Sequence, residues 1–320
     1  MIHLESIPFF DRIAESKNVL LAGAGGGFDI YSGIPIYLNL VKAGKNVILA
    51  NYSFTLLEET TAEEVHPNCY KVRMGDSDRS GRNYFPEKHL CSFLGAKGIY
   101  ATIYGLKRVG VQPTLDSYRY IVKEHDIDTI ILVDGGTDSL MFGDEEGLGT
   151  PQEDICSMVA AHRTGIKNKM LLSIGFGVDH YHGVSHYRFL ENVAALTRDG
   201  GYLGIFHLLP QMEEAKMLEE LVEYANLVMR GRESIVANSI VSAVQGNYGD
   251  HHRIPRTKGS ELWINPLMSM YWAFDLSKVI RKVKYYDWIK DSKTIGEINH
   301  GILSYRKSVE HLREKKNIPI

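Results

Sequence analysis

Three glycine-rich stretches contain residue types suited to anion, metal and proton chemistry. They are "LLAGAGGGFD" (20–29), "LVDGGTDSL" (132–140) and "GFGVDHYHGVSHY" (175–187). Glycine lets backbone N–H groups approach an anion. Carboxylate oxygens bind hard divalent cations, and histidine exchanges protons near neutral pH. If all three stretches follow strands of one sheet, their side chains can meet at one edge of it.

The first stretch predicts a phosphate-binding turn after a strand. We expect ligand contacts from Gly23, Gly25, Gly26, Gly27 and Asp29. The dinucleotide fingerprint GxGxxG is not matched, because Phe28 occupies its third glycine position, and Asn51 replaces the acid expected after the second strand. We still predict that Asn51 contacts the ligand, and NAD or another nucleotide is a possible ligand. A tight turn without a ligand is the structural alternative.

The second stretch predicts a metal site. Asp134 ends an apolar strand and Asp138 follows four residues later. Mg²⁺ commonly takes one or two carboxylates together with phosphate and water, so these two aspartates are the predicted ligands, with Gly135 and Gly136 beside the bound molecule. Alternatively, both aspartates accept hydrogen bonds from amides of their own loop. The acids at 144–146 are expected to face solvent.

The histidines supply candidates for proton transfer. We predict His180, His182 and Asp138 as catalytic groups. The two histidines follow another predicted strand, at 169–177. His186 is expected to be structural, in the first turn of a helix capped by Ser185. A later segment, "GNYGDHHRIPRTK" (246–258), offers Arg253, together with Arg256 and Lys258, as phosphate contacts. Surface histidines and a plain basic loop are the alternatives.

The elements around these stretches predict a doubly wound, mostly parallel α/β sheet with helices on both faces, which is Rossmann-like. Apolar runs at 18–23, 46–53, 99–105, 129–136, 169–177 and 202–209 alternate with amphipathic stretches. Thr150-Pro151-Gln152-Glu153 predicts a capping box and a helix start, so a loop of 16 residues precedes it. We expect a single α/β domain over 1–285, an irregular excursion at about 54–97, and a C-terminal helical extension over 286–320.

Composition excludes several classes of protein. The chain has 320 residues, 44% of them hydrophobic, and a formal charge of −3, without a basic stripe for nucleic acid. Its apolar runs are shorter than the ~18 residues of a membrane span, so we expect no membrane association. Three cysteines without CxxC spacing indicate a reduced, cytoplasmic protein.

Two motifs together resemble a known family. "GAGGGFD" and "DGGTDSLMFGDEEGLGTPQED" are similar to the family catalogued as domain of unknown function 1152, best known in archaea. The resemblance covers most of the chain. It implies an α/β fold and marks the two loops, but it implies no reaction, because the family has no established activity.

These features predict a protein that binds a phosphorylated, nucleotide-like small molecule. Metal-assisted hydrolysis or phosphoryl transfer, with Mg²⁺ as the cofactor, is the leading reaction class. Cleavage of an N-glycosidic bond in NAD or a nucleoside is an alternative, and a non-catalytic nucleotide-sensing module is another. Homo-oligomer formation is left open.

Overall fold

The fold is built on one mixed β-sheet. The computed structural model describes residues 6–318. The strands in this part are β1 (Asn18–Gly26), β2 (Asn46–Tyr52), β3 (Glu63–His66), β4 (Cys69–Val72), β5 (Ile103–Leu106), β6 (Thr129–Gly135), β7 (Asn168–Ile174), β8 (Tyr202–His207) and β9 (Met270–Asp275). Their spatial order is β3-β4-β5-β2-β1-β6-β7-β9-β8.

Parallel pairing occupies the centre of the sheet and antiparallel pairing its flanks. The strands β5, β2, β1, β6 and β7 are parallel neighbours. At one edge β4 pairs antiparallel with β5 and β3 with β4, and at the other edge β9 pairs antiparallel with β7 and β8. The carboxyl ends of the five central strands therefore meet at one edge of the sheet.

Helices cover both faces of the sheet. Over the described range they are α1 (Pro8–Ile13), α2 (Asp29–Ser32), α3 (Ile34–Lys42), α4 (Pro86–Ala96), α5 (Val111–Glu124), α6 (Pro151–His162), α7 (His186–Arg198), α8 (Glu213–Val228), α9 (Ile235–Val244), α10 (Leu276–Ile280), α11 (Tyr286–Ile289) and α12 (Ile295–Ser308). Short 3₁₀ turns cover Leu57–Glu59, Asp138–Leu140, Val178–His182, Pro255–Thr257 and Pro266–Ser269.

The alternation of side chains along the strands divides the core in two. In β1, Leu20 and Ala22 belong to an apolar layer with α5, α6 and α7, whereas Val19 and Leu21 belong to a layer with α3, α8 and α9. All four side chains are fully buried. Since successive residues of a strand point to opposite faces, a strand buried on both sides must be apolar throughout.

The mixed α/β class agrees with the sequence, but the predicted pairing is incomplete. The strand predicted at 202–209 is β8, and it is an antiparallel edge strand. The reason is β9, which comes some sixty residues later in the chain, lies between β7 and β8, and was not predicted. Pairing over such a sequence separation leaves no local signal.

The segment at 54–97 is more regular than its polar composition suggests. It contains β3 and β4, which extend the sheet, and α4. β3 is mostly exposed, and its burial pattern lacks the alternation that identifies a half-buried strand. An edge strand with few apolar side chains is typically read as a loop.

Residues 286–318 follow β9 and α10, and Ile289, Ile298 and Ile302 join the layer that contains α5 and α6. The predicted domain (1–285) begins and the predicted extension (286–320) ends outside the described residues, at 1–5 and 319–320. Across the described part of the chain, no helix is both long and apolar enough to cross a membrane.

Candidate functional site

The candidate site lies where the chain changes direction across the sheet. β1 and β6 are neighbours, with Gly23 paired to Val133. The helix α3 that follows β1 packs on one face of the sheet, while α6, which follows β6, packs on the other. A crevice forms between the carboxyl ends of two such strands, and ligands of open α/β sheets bind there. The first and second glycine-rich stretches both end at this crevice.

Three carboxylates converge in the crevice. Oxygen atoms of Asp29, Asp134 and Asp154 all lie within 4.8 Å of one another. Asp29 begins α2 directly after β1, Asp134 lies near the end of β6, and Asp154 lies in the first turn of α6. We call these residues the acidic triad. Its members come from three separate elements, so the fold itself assembles the cluster.

Two members of the triad accept hydrogen bonds, and the third does not. The Gly25 N–H donates to Asp29 Oδ2 over 2.8 Å, and the Ser139 hydroxyl donates to Asp134. Asp154 is only 6% exposed, yet within residues 6–318 it has neither a hydrogen bond nor an ion pair. A buried charge is normally paired or bound to a metal, so the Asp154 carboxylate lacks a partner that its surroundings require.

Two further aspartates surround the triad and have protein partners. Asp138 Oδ2 accepts from the Thr150 N–H at 2.9 Å, and Asp179 Oδ2 accepts from the Thr137 N–H at 2.6 Å. Both side chains are buried. Of the two predicted metal ligands, Asp134 therefore belongs to the triad, whereas Asp138 holds the start of α6 in the manner of the structural alternative.

Burial, together with repulsion between neighbouring carboxylates, raises the pKa values of the triad. Burial is the main cause throughout, because it penalises the charged form. It raises the pKa of Asp29 to about 7, with a contribution from the negative charge of Asp138. The pKa values of Asp134 and Asp154 are raised well above their ordinary values by burial and then by neighbouring carboxylates. A bound cation would reverse this balance and favour the ionised forms.

Glycines make room for the carboxylates. A Cβ atom on Gly25 would lie 2.5 Å from Asp154 Oδ1 and 2.6 Å from Asp29 Oδ2, which is closer than real atoms approach. A Cβ on Gly136 would lie 2.8 Å from an oxygen of Asp179. The glycines after β1 and β6 are thus needed for close approach to side chains of the protein itself.

A cavity of about 650 Å³ opens above the triad. Its lining comprises Gly26, Gly27, Phe28, Asp29, Ser32, Phe54, Arg82, Tyr84, Gly135, His182, Arg232, Ser234, Ile235, Val236 and Arg256. Asp29 is the member of the triad in this wall, so the cavity reaches the acidic cluster. Its size is within the range of small-molecule sites.

The predicted glycine contacts divide into two groups. Gly26, Gly27 and Gly135 line the cavity, whereas Gly23, Gly25 and Gly136 lie behind its lining. Gly27 has a positive φ of 67°, and a Cβ there would lie 2.4 Å from the Tyr84 hydroxyl oxygen.

Asn51 lies behind the glycine turn. It is fully buried, and its side-chain amide donates to the Gly27 carbonyl and to Glu87 Oε1, both over 2.8 Å. These bonds fix the path of the turn, so the position of Asn51 suits support of the turn.

Only one of the two predicted catalytic histidines lines the cavity. His182 does so. Burial raises the pKa of the neighbouring Asp138, and a positive charge on His182 would oppose that rise. His180 is exposed and stacks on His186, with ring centroids 5.1 Å apart. The difference follows from the 3₁₀ turn at Val178–His182, since this turn does not give residues i and i+2 the common direction they have in an extended strand.

The two predicted arginine contacts lie in different places. Arg253 donates to Gln245 Oε1 over 2.6 Å and lies 3.5 Å from Glu223, outside the cavity lining. Arg256, three residues later, lines the cavity instead. The sequence does not identify Arg82, Arg232 or Asp154 as site residues. Asp154 had one usable signal, its place in the first turn of a helix whose start was predicted.

The acids at 144–146 were expected to face solvent, but they do not form a solvated face. Glu145 is 1% exposed and accepts from the Arg313 guanidinium over 2.6 Å. The same guanidinium lies 2.7 Å from Asp144, and Arg306 donates to the Glu146 carbonyl over 2.7 Å. The C-terminal segment thus fixes the second half of the loop.

Fold and site together define an α/β protein with an acidic triad, of which Asp134 and Asp154 are buried and Asp29 is partly exposed, and with a cavity at the carboxyl ends of its parallel strands. The chain belongs to the family described as protein of unknown function (DUF1152), whose model matches residues 20–317. Comparisons with curated proteins and with solved structures find no match.

Proposed function

We propose that the cavity binds a phosphorylated, nucleotide-like small molecule together with a divalent cation, and that the protein acts on it by hydrolysis or phosphoryl transfer. This proposal rests mainly on the buried carboxylate of Asp154, which has no protein partner within the described residues and lies within 4.8 Å of the Asp29 and Asp134 carboxylates. Hard divalent cations such as Mg²⁺ take carboxylate oxygens and complete their coordination with phosphate oxygens and water. The donor set fits such an ion.

The strand order supports the same assignment. Numbered among themselves along the chain, the five parallel strands have the order 3-2-1-4-5, which is shared by the first five strands of the Rossmann fold. Nucleotides bind there at the reversal between strands 1 and 4, which are β1 and β6 in this protein. The acidic triad lies at that reversal.

The residues of the cavity have distinct roles in the proposed reaction. Asp29, Asp134 and Asp154 would hold the cation, which when bound would polarise a phosphoryl oxygen and lower the pKa of water. The imidazole of His182 provides the proton-transfer group on the cavity wall. Asp138 and Asp179 position the loops, since each accepts from a backbone N–H. Phe28, Phe54 and Tyr84 give the cavity an aromatic wall for the nucleoside part.

Metal binding tests the first half of the proposal. Isothermal titration of the protein with Mn²⁺ or Mg²⁺ should show one site, and Asp154→Asn should weaken it at least ~10-fold, because a neutral amide is a poorer ligand for a hard cation. Asp116→Asn is the matched control, since it removes the same charge from the exposed face of α5. Equal affinity in Asp154→Asn and wild type would refute the metal site.

Turnover tests the second half. The wild-type protein should release phosphate, or transfer a phosphoryl group, from members of a nucleotide panel only when Mg²⁺ or Mn²⁺ is present. His182→Gln should reduce kcat and change KM little, because the imidazole acts in the reaction rather than in binding. Release of a free base from NAD or a nucleoside would instead establish N-glycosidic cleavage. Binding without any turnover would favour the sensing module.

A further inference from the structure

The cavity wall beyond the acidic triad is cationic. Arg82 comes from the segment between β4 and α4, Arg232 from the connection between α8 and α9, and Arg256 from the 3₁₀ turn at Pro255–Thr257. We call these three residues the arginine wall. They belong to segments far apart in the sequence, and the fold brings them to one cavity.

The arginine wall has few protein partners. Across residues 6–318, the side chains of Arg82 and Arg232 have no ion pair and no hydrogen bond. Arg256 donates to the Glu233 carbonyl over 2.6 Å, so its charge is not neutralised. Arg313, in contrast, lies against Asp144 and Glu145.

Backbone N–H groups add to this cationic wall. Residues 234–236 at the amino end of α9 line the same cavity. The Ser234 hydroxyl caps the helix by accepting from the Ala237 N–H over 3.1 Å. The N–H groups of Ile235 and Val236 lie in the first turn, where a helix has no internal acceptors, and they favour an anion.

A buried hydroxyl group faces the same space. Ser32 is 2% exposed, lines the cavity, and has no hydrogen-bond partner for its side chain within the described part of the chain. Buried polar groups normally have a partner. A ligand oxygen reaching past Gly27 toward the triad would provide one for Ser32.

We infer that the arginine wall and the amino end of α9 form a subsite for a diphosphate group, so that the ligand is a diphosphate ester or a longer phosphate chain. This inference rests on the proposed function. A single phosphomonoester carries about −1.5 to −2 at pH 7, which leaves part of the charge of three guanidinium groups unbalanced. A second phosphoryl group supplies the missing charge and additional acceptor oxygens for the planar guanidinium donors.

Inorganic pyrophosphate and phosphate test the subsite without a metal. In EDTA, isothermal titration of the wild-type protein should show pyrophosphate bound at least ~10-fold more tightly than phosphate. Arg232→Gln should weaken pyrophosphate binding at least ~10-fold. Arg230→Gln is the control, because this exposed arginine lies two residues earlier and outside the lining, and it should leave the affinity unchanged.

Two results would overturn the subsite. Equal affinities for pyrophosphate and phosphate would show that the arginine wall does not favour a diphosphate over a single phosphate. Equal losses in Arg232→Gln and Arg230→Gln would show general attraction by surface charge.

The Asp154→Asn protein separates this inference from the proposed function. It should keep pyrophosphate binding in EDTA, because the triad is not needed for the arginine contacts. Intact pyrophosphate selectivity with no metal site would contradict the proposed metal chemistry alone. A normal metal site without pyrophosphate selectivity would contradict the diphosphate subsite alone.

Discussion

Replacing Asp154 by asparagine should make the metal-free protein more stable. Two unit charges 4.8 Å apart repel by about 3.5 kcal/mol at an effective dielectric constant of 20, and Asp154 has two such neighbours within that distance. Protonation of the triad relieves much of this repulsion, and the buried amide still needs hydrogen-bond partners. We therefore expect a net gain of about 1–3 kcal/mol in the free energy of unfolding.

The gain should be visible in thermal denaturation. For a chain of this length, 1 kcal/mol corresponds to roughly 1.5 °C in Tm, so Asp154→Asn should melt about 1.5–4.5 °C higher than wild type in EDTA. Saturating Mn²⁺ should raise the Tm of wild type by mass action and should raise that of the weaker-binding variant less. The difference between the two Tm values should therefore shrink when the metal is added, and it reverses if the loss of affinity exceeds the gain in stability.

A lower Tm for Asp154→Asn in EDTA would refute this reasoning, because it would mean that the carboxylate makes a stabilising contact in the metal-free fold. Equal stabilisation of both proteins by Mn²⁺ would place the metal elsewhere. Asp116→Asn controls for the loss of one negative charge, since this side chain lies on an exposed helix surface.

Three further predictions concern the surroundings of the triad. Gly25→Ala should weaken Mn²⁺ binding at least ~10-fold in calorimetry, because its Cβ would displace the Asp29 and Asp154 carboxylates; wild-type affinity would contradict the close approach. Arg313→Gln should destabilise the protein by about 2–4 kcal/mol in urea, since it removes the cation from the buried Glu145 carboxylate and leaves it only neutral hydrogen-bond donors; a change below about 0.5 kcal/mol would reduce the contact to a surface ion pair. Burial lowers the pKa of His186 to about 4, so its contribution is complete above about pH 6.5 and is lost as the pH falls toward 4. Compared with His186→Gln, wild type should lose about 1–2 kcal/mol more between pH 7.5 and 5, a figure reduced for solvent screening of a partly exposed ring; parallel pH profiles would contradict it.

The sequence predicts the parts of the site that follow single strands. Asp134 and the glycine turn could be placed because an apolar strand leads directly into each, and strand ends meet at one edge of a parallel sheet. Asp154 could not be paired with them in the same way. Its position depends on how α6 packs against β1, which is a tertiary contact without a local pattern.

The predicted capping box gives the correct start of the helix but not the hydrogen bonds of its residues. Helix α6 starts at Pro151 as predicted, but the Thr150 side chain accepts no capping hydrogen bond. Its N–H and hydroxyl groups donate to Asp138, and Glu153 pairs with Arg108 over 2.5 Å. The residue types of a capping box are present, but Thr150 bonds to the loop of the site and Glu153 pairs with an arginine that follows β5.

Two residues of the arginine wall could not be predicted from the sequence, for a different reason. Arg82 and Arg232 stand in irregular segments, where no periodicity fixes the direction of a side chain. The sequence offers both Arg253 and Arg256, and the turn at Pro255–Thr257 directs Arg256 into the cavity and leaves Arg253 against Gln245.

The length of the loop between β6 and α6 follows from two requirements. Its first half must bring Asp134 and Asp138 inward, and Gly136 keeps the space beside them free of a Cβ. Its second half has no regular secondary structure, so its polar groups need other partners. Arg306 donates to the carbonyl groups of Glu145 and Glu146, and Arg313 exchanges backbone hydrogen bonds with the same turn. A loop of two to six residues could join the strand to the helix, but it could not both present the carboxylates and reach the C-terminal segment that holds it in place.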